Sequence, residues 1–143
     1  MSKDKRRNCR IQYFSLMELM IALIIMIMIT GLVAPAVMNK LMKAKKRSAK
    51  IEIEMFDACL RDYYLDNNEY PNSLDALIND PGRDSWDGPY ISKRTTIPKD
   101  PWGNEYQFES PGQHGDFDIY SYGADGAAGG EGKDADISSW EKE

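Results

Sequence analysis

Four carboxylates stand close together near the end of the chain. Asp125, Glu131, Asp134 and Asp136 fall within a dozen residues, and Lys133 is the only basic residue among them. Crowded carboxylates repel one another, and a hard cation such as Ca²⁺ relieves that repulsion by taking roughly six to eight oxygen ligands. The spacing is not that of an EF-hand, which alternates Asp or Asn ligands before a glycine. The pattern is therefore compatible either with a loop that folds around Ca²⁺ or with a solvated acidic loop.

A fifth carboxylate, Glu18, lies beside a long apolar segment. The 19 residues from Leu19 to Val37 carry no charge, and a helix needs about 20 apolar residues to cross a bilayer core. A carboxylate in such a segment is costly and is by default a functional site. The alternative is that Glu18 lies at the level of the lipid headgroups and is solvated there.

The distribution of charge predicts how the chain is oriented. Residues 1–13 hold five basic residues and one acidic residue, a net charge of +4; since the whole chain carries −5, residues 14–143 carry −9. A short basic stretch beside a span stays in the cytoplasm. This predicts a cytoplasmic leader over residues 1–13, a transmembrane helix over 14–38 and an exported part over 39–143. The acidic exported part gives no support for nucleic-acid binding.

Enzymatic chemistry is not indicated. The sequence shows no nucleophile–base pair, phosphate loop or zinc pattern to accompany the alternating carboxylates Asp116 and Asp118, and we predict that the chain is not an enzyme. Cys9 and Cys59 would lie on opposite sides of the membrane, so they cannot pair within one chain. His114, in a glycine-rich turn, is expected at the surface.

The helical pattern continues beyond the apolar segment. Small or apolar residues recur every three or four positions, which predicts one face of a helix: Val37, Leu41, Ala44, Ser48, Ile51, Met55 and Cys59. Phe56, Leu60 and Tyr63 widen this stripe, and Asn67, Asn68 and Pro71 supply the stop. We expect a single helix of roughly 50 residues, in which the basic run over residues 43–50 is a solvated stretch.

The remaining residues predict a small head built of short elements. The fold class is α+β, with the long helix packed on a small antiparallel sheet. The expected elements are a short second helix over residues 70–80, a loop over 81–98, a type I turn over 100–103, a β-hairpin from strands 105–109 and 117–121, and a glycine-rich loop over 123–136 that closes on Ile137 and Trp140.

Several segments together resemble a known family. A basic leader followed by Phe14, Ser15, Leu16, Met17 and Glu18 and an apolar helix with Pro35 resembles the signal of type IV prepilins and pseudopilins. GPY at residues 88–90, PKDPWGNEYQF at 98–108 and DFDIYSYGADGAAGGEGKDADISSW at 116–140 resemble the major pseudopilins of type II secretion systems. The resemblance covers nearly all of residues 14–140 and implies a pilin-like fold.

The resemblance also implies roles for individual residues. A prepilin peptidase would cut between Tyr13 and Phe14 and methylate the new amino terminus of Phe14, although the family usually has Gly where this chain has Tyr13. Glu18 would meet the terminal amine of a neighbouring subunit during assembly. A structural Ca²⁺ would be bound by oxygen ligands of the terminal loop: the side chains of Asp125, Asp134 and Asp136 and the backbone carbonyl of Tyr122, with Glu131 and Ser139 as weaker candidates.

The function implied by the resemblance is structural. The chain would be a single-pass protein of the bacterial inner membrane with its C-terminal domain in the periplasm. It would polymerise with itself, together with minor pseudopilins and an inner-membrane assembly platform, into a filament that drives protein export across the outer membrane. The alternatives are another pilin-like filament subunit, for adhesion, motility or DNA uptake, and a membrane-anchored Ca²⁺-binding receptor that never polymerises.

Overall fold

The structure, a computed structural model, describes residues 14–141 apart from the side chain of Lys133. The leader over residues 1–13, with Cys9 and Tyr13, lies outside the described residues. The chain divides into two compact units, one ending at Asn39 and the other beginning at Lys40. We refer to the second unit as the head.

A single helix, α1, runs from Leu16 to Asn67. It begins after Ser15, whose side-chain oxygen accepts a hydrogen bond from the backbone N–H of Met17 at 3.3 Å, as N-cap serines do. It ends where Asn68 adopts a left-handed conformation with φ of 56°, a common way to terminate a helix. The predicted length and stop of the helix are both confirmed.

The buried face of α1 differs from the predicted stripe. Its buried residues are Ala49, Ile53, Phe56, Cys59, Leu60, Tyr63 and Asn67. Cys59, Phe56, Leu60 and Tyr63 were expected there, but Val37, Leu41 and Ile51 are 55%, 48% and 56% exposed, and Ala44 and Ser48 are exposed as well. Two adjacent faces of the helix both show the 3.6-residue period, and the period alone cannot tell which face packs inside the chain.

The predicted second helix is wrong in extent and type. The structure has only a 3₁₀ turn over Leu74–Leu77, and Ser73 stands at its N-cap without a side-chain hydrogen bond. The carbonyl oxygen of Leu77 instead accepts hydrogen bonds from Tyr90 N at 2.8 Å and Ile91 N at 3.3 Å. Because residue 81 is a proline without an N–H group, the helical pattern itself offers Leu77 no partner, and the following loop supplies the hydrogen bonds.

The sheet has three short antiparallel strands in the order β1-β2-β3: β1 Gln107–Glu109, β2 Asp118–Ser121 and β3 Ile137–Ser138. The predicted hairpin is confirmed, with Phe108 opposite Ile119. The third strand was missed, because two residues are too few to show an alternating pattern.

The core of the head joins α1 to the sheet and to the loop between them. Phe56 of α1 meets Tyr106 edge-to-face, with ring centroids 5.2 Å apart, and Leu60 and Ile119 are fully buried. Such aromatic pairs add stability beyond the area they bury. This packing fixes β2 and β3, and thereby both ends of the acidic loop between them.

Candidate functional site

The acidic loop is anchored at its start by the turn over residues 100–103. Asp100 is buried, and its carboxylate accepts hydrogen bonds from Trp102 N at 3.0 Å, Asn104 N at 2.8 Å and the hydroxyl of Ser121 at 2.6 Å. A hydrogen bond from Gly103 N to the carbonyl of Asp100 closes the turn at 3.0 Å, which confirms the predicted turn. The amide of Asn104 then donates to the carbonyl of Gly123 at 3.0 Å, at the point where the loop leaves the sheet.

Within the loop the candidate ligands make mainly local contacts. Asp125 is exposed and accepts a hydrogen bond from Ala127 N at 3.2 Å. Asp136 accepts one from Gly129 N at 2.9 Å, which ties the two sides of the loop together. Ser139 lies beyond β3, where its hydroxyl oxygen accepts a hydrogen bond from Ile119 N at 3.2 Å.

The predicted ligands are not gathered into one cluster. Within residues 14–141, no group of three or more His, Cys, Asp or Glu side chains is placed to hold a metal ion. One observation fits a cation nevertheless: Oδ1 of Asp136 is buried and has no hydrogen-bond partner among the described residues. A buried carboxylate oxygen without a partner is costly. All the candidate ligands are oxygen atoms, which are the ligands that a hard cation such as Ca²⁺ takes.

The backbone of the loop is also tightly folded. Gly130 has a φ of 97°, and a Cβ there would lie 2.6 Å from the carbonyl oxygen of Asp134. Only glycine therefore fits at this position. The close approach brings the chain around Asp134, one of the candidate ligands, into a compact turn.

Basic residues of α1 contact this part of the head, which corrects the expectation that residues 43–50 are simply solvated. Lys46 donates a hydrogen bond to the carbonyl of Gly132, and the ammonium of Lys45 lies over the ring of Trp102, 5.8 Å from its centroid. Ala49, which is completely buried, lets the helix come close at this point. No charge pattern in the sequence distinguishes these two lysines from their neighbours, so the contact was missed.

A second polar cluster lies at the start of β2, around Asp118. Nδ1 of His114 lies 2.9 Å from Oδ2 of the buried Asp118, whose carboxylate also accepts hydrogen bonds from Gln113 N and His114 N. Burial alone would raise the pKa of Asp118, but these hydrogen bonds outweigh it and lower the pKa below its ordinary value. The ring of His114 stacks on Trp140 at 4.1 Å. The cluster ties Trp140, near the end of the chain, to β2.

The first half of α1 presents a different surface. Within residues 14–141, one helix is long and apolar enough to cross a membrane, and none of its most apolar 18-residue window is buried. Phe14 is 74% exposed and Leu32 is 82% exposed. Glu18 lies in this exposed half and makes no hydrogen bond or ion pair through its side chain with any residue from 14 to 141.

Comparison with known proteins identifies the family. The family model for protein G of the type II secretion system matches residues 36–140. The chain belongs to this family. It is 42% identical over 137 residues to the type II secretion system core protein G of Pseudomonas aeruginosa, covering 90% of this chain and 94% of that protein. It is 39% identical to the core protein G of Vibrio cholerae over 89% of this chain and 90% of that one.

A solved member of the family shows the same fold. The crystal structure of the major pseudopilin from the type 2 secretion system of enterohaemorrhagic Escherichia coli is 35% identical and superimposes with a TM-score of 0.57, over 72% of this chain and 92% of that one. The protein G family is one of structural secretion components and not a known enzyme family. These relatives give no support to an adhesion, motility or DNA-uptake pilin or to a non-polymerising receptor.

Proposed function

We propose that this chain is the subunit that polymerises into the pseudopilus of a type II secretion system, and that growth of this filament drives protein export across the outer membrane. The observation that carries the proposal is the exposed apolar half of α1 joined to a packed head. An unburied apolar helix of this length is unstable in water. It needs either lipid or other copies of itself, and a subunit that moves from membrane to filament uses both in turn.

Glu18 would be the residue that links the two environments. The carboxylate has no partner among the described residues of its own chain, and an isolated carboxylate in an apolar setting is costly. Cleavage between Tyr13 and Phe14 would create a new terminal amine on a neighbouring copy. Pairing that ammonium with Glu18 would neutralise both charges inside the filament.

The exposed stripe of α1 supports contacts between copies beyond the membrane. Leu41 and Ile51 are about half exposed, and Ala44 and Ser48 between them are small and exposed. Small residues allow helices to approach closely. This part of the predicted stripe is thus available to a second copy.

The terminal loop would hold a structural Ca²⁺. The unpartnered, buried Oδ1 of Asp136 supports this assignment. Asp125, Asp134, Asp136 and the carbonyl of Tyr122 would be the main ligands, with Glu131 and Ser139 as further candidates. The cation would neutralise the carboxylates and draw the loop together, so that the head keeps a fixed surface for its neighbours.

In the cell, the subunit would be anchored in the bacterial inner membrane by α1, with the head in the periplasm. Its partners would be further copies of itself, minor pseudopilins, the inner-membrane assembly platform and a prepilin peptidase. The peptidase would remove residues 1–13 and methylate Phe14.

Mass spectrometry of the protein from cells that contain a prepilin peptidase should find Phe14, N-methylated, as the first residue. Tyr13 stands where the family usually has Gly, so Tyr13→Gly is the matched variant, and it should be cut at least as fast. An uncut wild type beside a cut Tyr13→Gly variant would show that Tyr13 blocks processing.

The function itself is tested by complementation. A Pseudomonas aeruginosa strain that lacks its own core protein G and expresses this chain should regain export of type II substrates, measured as enzyme activity in the medium. The negative control is the same chain with Phe14–Val37 deleted, which retains the head and should restore no export. A stable, membrane-inserted and processed chain that restores no export, in the presence of a working peptidase, would count against the proposal.

A further inference from the structure

The part of α1 that directly follows the apolar segment carries an unusual charge distribution. Between Leu19 and Ile51 there is no acidic residue, whereas six basic residues follow one another within 11 positions: Lys40, Lys43, Lys45, Lys46, Arg47 and Lys50. The first acidic residue after Glu18 is Glu52. The positive charge is therefore concentrated at the end of the head that adjoins the apolar run.

The structure divides these six residues into two groups. Lys45 and Lys46 contact residues beyond α1, namely the ring of Trp102 and the carbonyl of Gly132. Lys40, Lys43 and Arg47 are exposed, and among residues 14–141 they have no hydrogen bond or ion pair through their side chains. Their spacing of three and four positions places them on one face of the helix. We call these three residues the cationic face.

Two further features describe the surroundings of the cationic face. Lys43 and Arg47 also line a groove of about 1030 Å³ between α1 and β3, which carries the carboxylates of Glu54, Asp136 and Glu141 as well. Side chains on an α-helix lean toward its N-terminus, which in α1 is the end with the apolar run. The Cα–Cβ bonds of all three residues therefore tilt toward the N-terminal end of α1.

We propose that the cationic face binds the phosphate groups of anionic phospholipids at the exported surface of the membrane. Basic residues immediately beside a span attract anionic headgroups, and long Lys and Arg side chains reach the interface from neighbouring turns of a helix. Leu41, exposed beside Lys40, suits the boundary between headgroups and acyl chains. The inference rests on the membrane anchoring described under the proposed function and adds a lipid preference to it.

The lipid contact would belong to the unassembled subunit. A subunit that enters a filament leaves the bilayer, so its headgroup contacts must be broken. Anionic lipid would therefore hold the pool of subunits in the membrane and compete with assembly. The cationic face would therefore retain subunits in the membrane, whereas Glu18 would pair with a second copy during assembly.

Lipid selectivity of the full chain tests the proposal directly. The wild type is reconstituted at a low protein-to-lipid ratio into phosphatidylcholine vesicles that contain a trace of spin-labelled phosphatidylglycerol or spin-labelled phosphatidylcholine. The fraction of each probe that the protein immobilises gives their relative association constants. Each basic residue near an anionic surface contributes roughly a fivefold preference at low salt. We expect phosphatidylglycerol to be preferred at least severalfold, and less so as salt shortens the screening length.

The decisive comparison is between two triple variants with the same change in charge. K40Q/K43Q/R47Q should lose most of the preference, whereas K93Q/R94Q/K99Q, in the loop of the head, should keep it. This comparison is needed because the basic leader can also attract anionic lipid. All six side chains lie at the surface, so neither variant is expected to unfold the head.

The results of these measurements distinguish lipid binding by the cationic face from the proposed function of the chain as a membrane-anchored filament subunit. Equal immobilisation of both lipids by the wild type would overturn it, as would unchanged selectivity in K40Q/K43Q/R47Q. Unchanged selectivity together with lost filament formation would assign the cationic face to a second copy instead. Failure of the chain to insert into any vesicle would contradict membrane anchoring itself.

Discussion

The two halves of α1 have similar backbones and opposite surroundings. From Leu16 to Asn39 no residue is buried, although most are apolar; from Lys40 to Asn67 seven residues are buried, although many of their neighbours are charged. The second half is stabilised by the chain's own core. The described residues do not bury the first half, and under the proposed function it would be stabilised first by lipid and then by neighbouring subunits.

The largest change in stability is expected on the second half of α1, which has a buried face and an exposed stripe. Phe56→Ala should lower the free energy of unfolding of a soluble head beginning at Lys40 by about 3–5 kcal/mol, because it empties a fully buried site. Ile51→Ala, which lies on the exposed stripe, should change it by no more than about 0.5 kcal/mol. Chemical denaturation followed by tryptophan fluorescence measures both.

Equal destabilisation by the two variants would contradict the distinction between a buried and an exposed face of α1. Ile51 would then belong to the core in solution, and the exposed stripe could not serve a second copy. An Ile51→Ala variant that is stable but assembles poorly would sharpen the comparison instead.

The next effect is expected at the terminal loop, for which we propose a structural Ca²⁺. A ligand that binds only the folded state stabilises it by about 2.7 kcal/mol at a hundredfold excess over its dissociation constant. For a domain of about 100 residues this corresponds to roughly 10–20 °C in Tm. Chelator should therefore lower the Tm of the head by this order, as measured by calorimetry, and Mg²⁺ should restore little of it.

Two variants locate the effect. Asp125→Ala should lower the Tm and abolish its response to Ca²⁺, whereas Asp84→Ala, an exposed carboxylate outside the loop, should respond as the wild type does. Identical melting of the wild type in chelator and in millimolar Ca²⁺ would remove the metal from the account.

A smaller, pH-dependent effect is expected at Asp118. Its pKa is lower in the folded state than the unfolded value of about 3.9. The stability that it contributes is therefore present above that value and lost as the pH falls through the lower folded pKa. Asp118→Asn should cost about 1–2 kcal/mol near neutral pH, because it weakens charge-assisted hydrogen bonds.

The difference between this variant and the wild type should shrink as the pH falls below about 4. The control is Asp116→Asn, since Asp116 is exposed and its contact with Tyr70 is 3.5 Å long. Urea denaturation across a pH series measures both. A pH-independent difference would mean that Asp118 acts through packing and not through its charge.

The features that the sequence predicted correctly are those that depend on local pattern. The single long helix, its stop at Asn67, the turn at Asp100 and the hairpin pairing of Phe108 with Ile119 all follow from periodicity and turn chemistry. The hydrogen bonds that the Leu77 carbonyl accepts could not be predicted, because the donors, Tyr90 and Ile91, lie in a loop without regular structure. The same holds for β3, which exists only because β2 offers an edge to it.

The candidate sites show the same limit. Composition identified the acidic loop and the apolar segment, because both are continuous in sequence. It could not show that Lys46 reaches Gly132 or that Asn104 holds Gly123, since these contacts join residues 86 and 19 positions apart. The helical period also predicted a small and apolar stripe on α1, but it could not show that the stripe is exposed at Val37, Leu41 and Ile51 and buried at Cys59.

Imaging of filaments tests most directly whether the first half of α1 is stabilised by other copies of the chain. The full chain is overproduced with a prepilin peptidase and an assembly platform, and sheared cell surfaces are examined by electron microscopy. The wild type should form helical filaments, Glu105→Ala should form them equally well, and Glu18→Ala should insert into the membrane but form few or none. Filaments at wild-type yield from Glu18→Ala, or none from the processed wild type, would contradict the account.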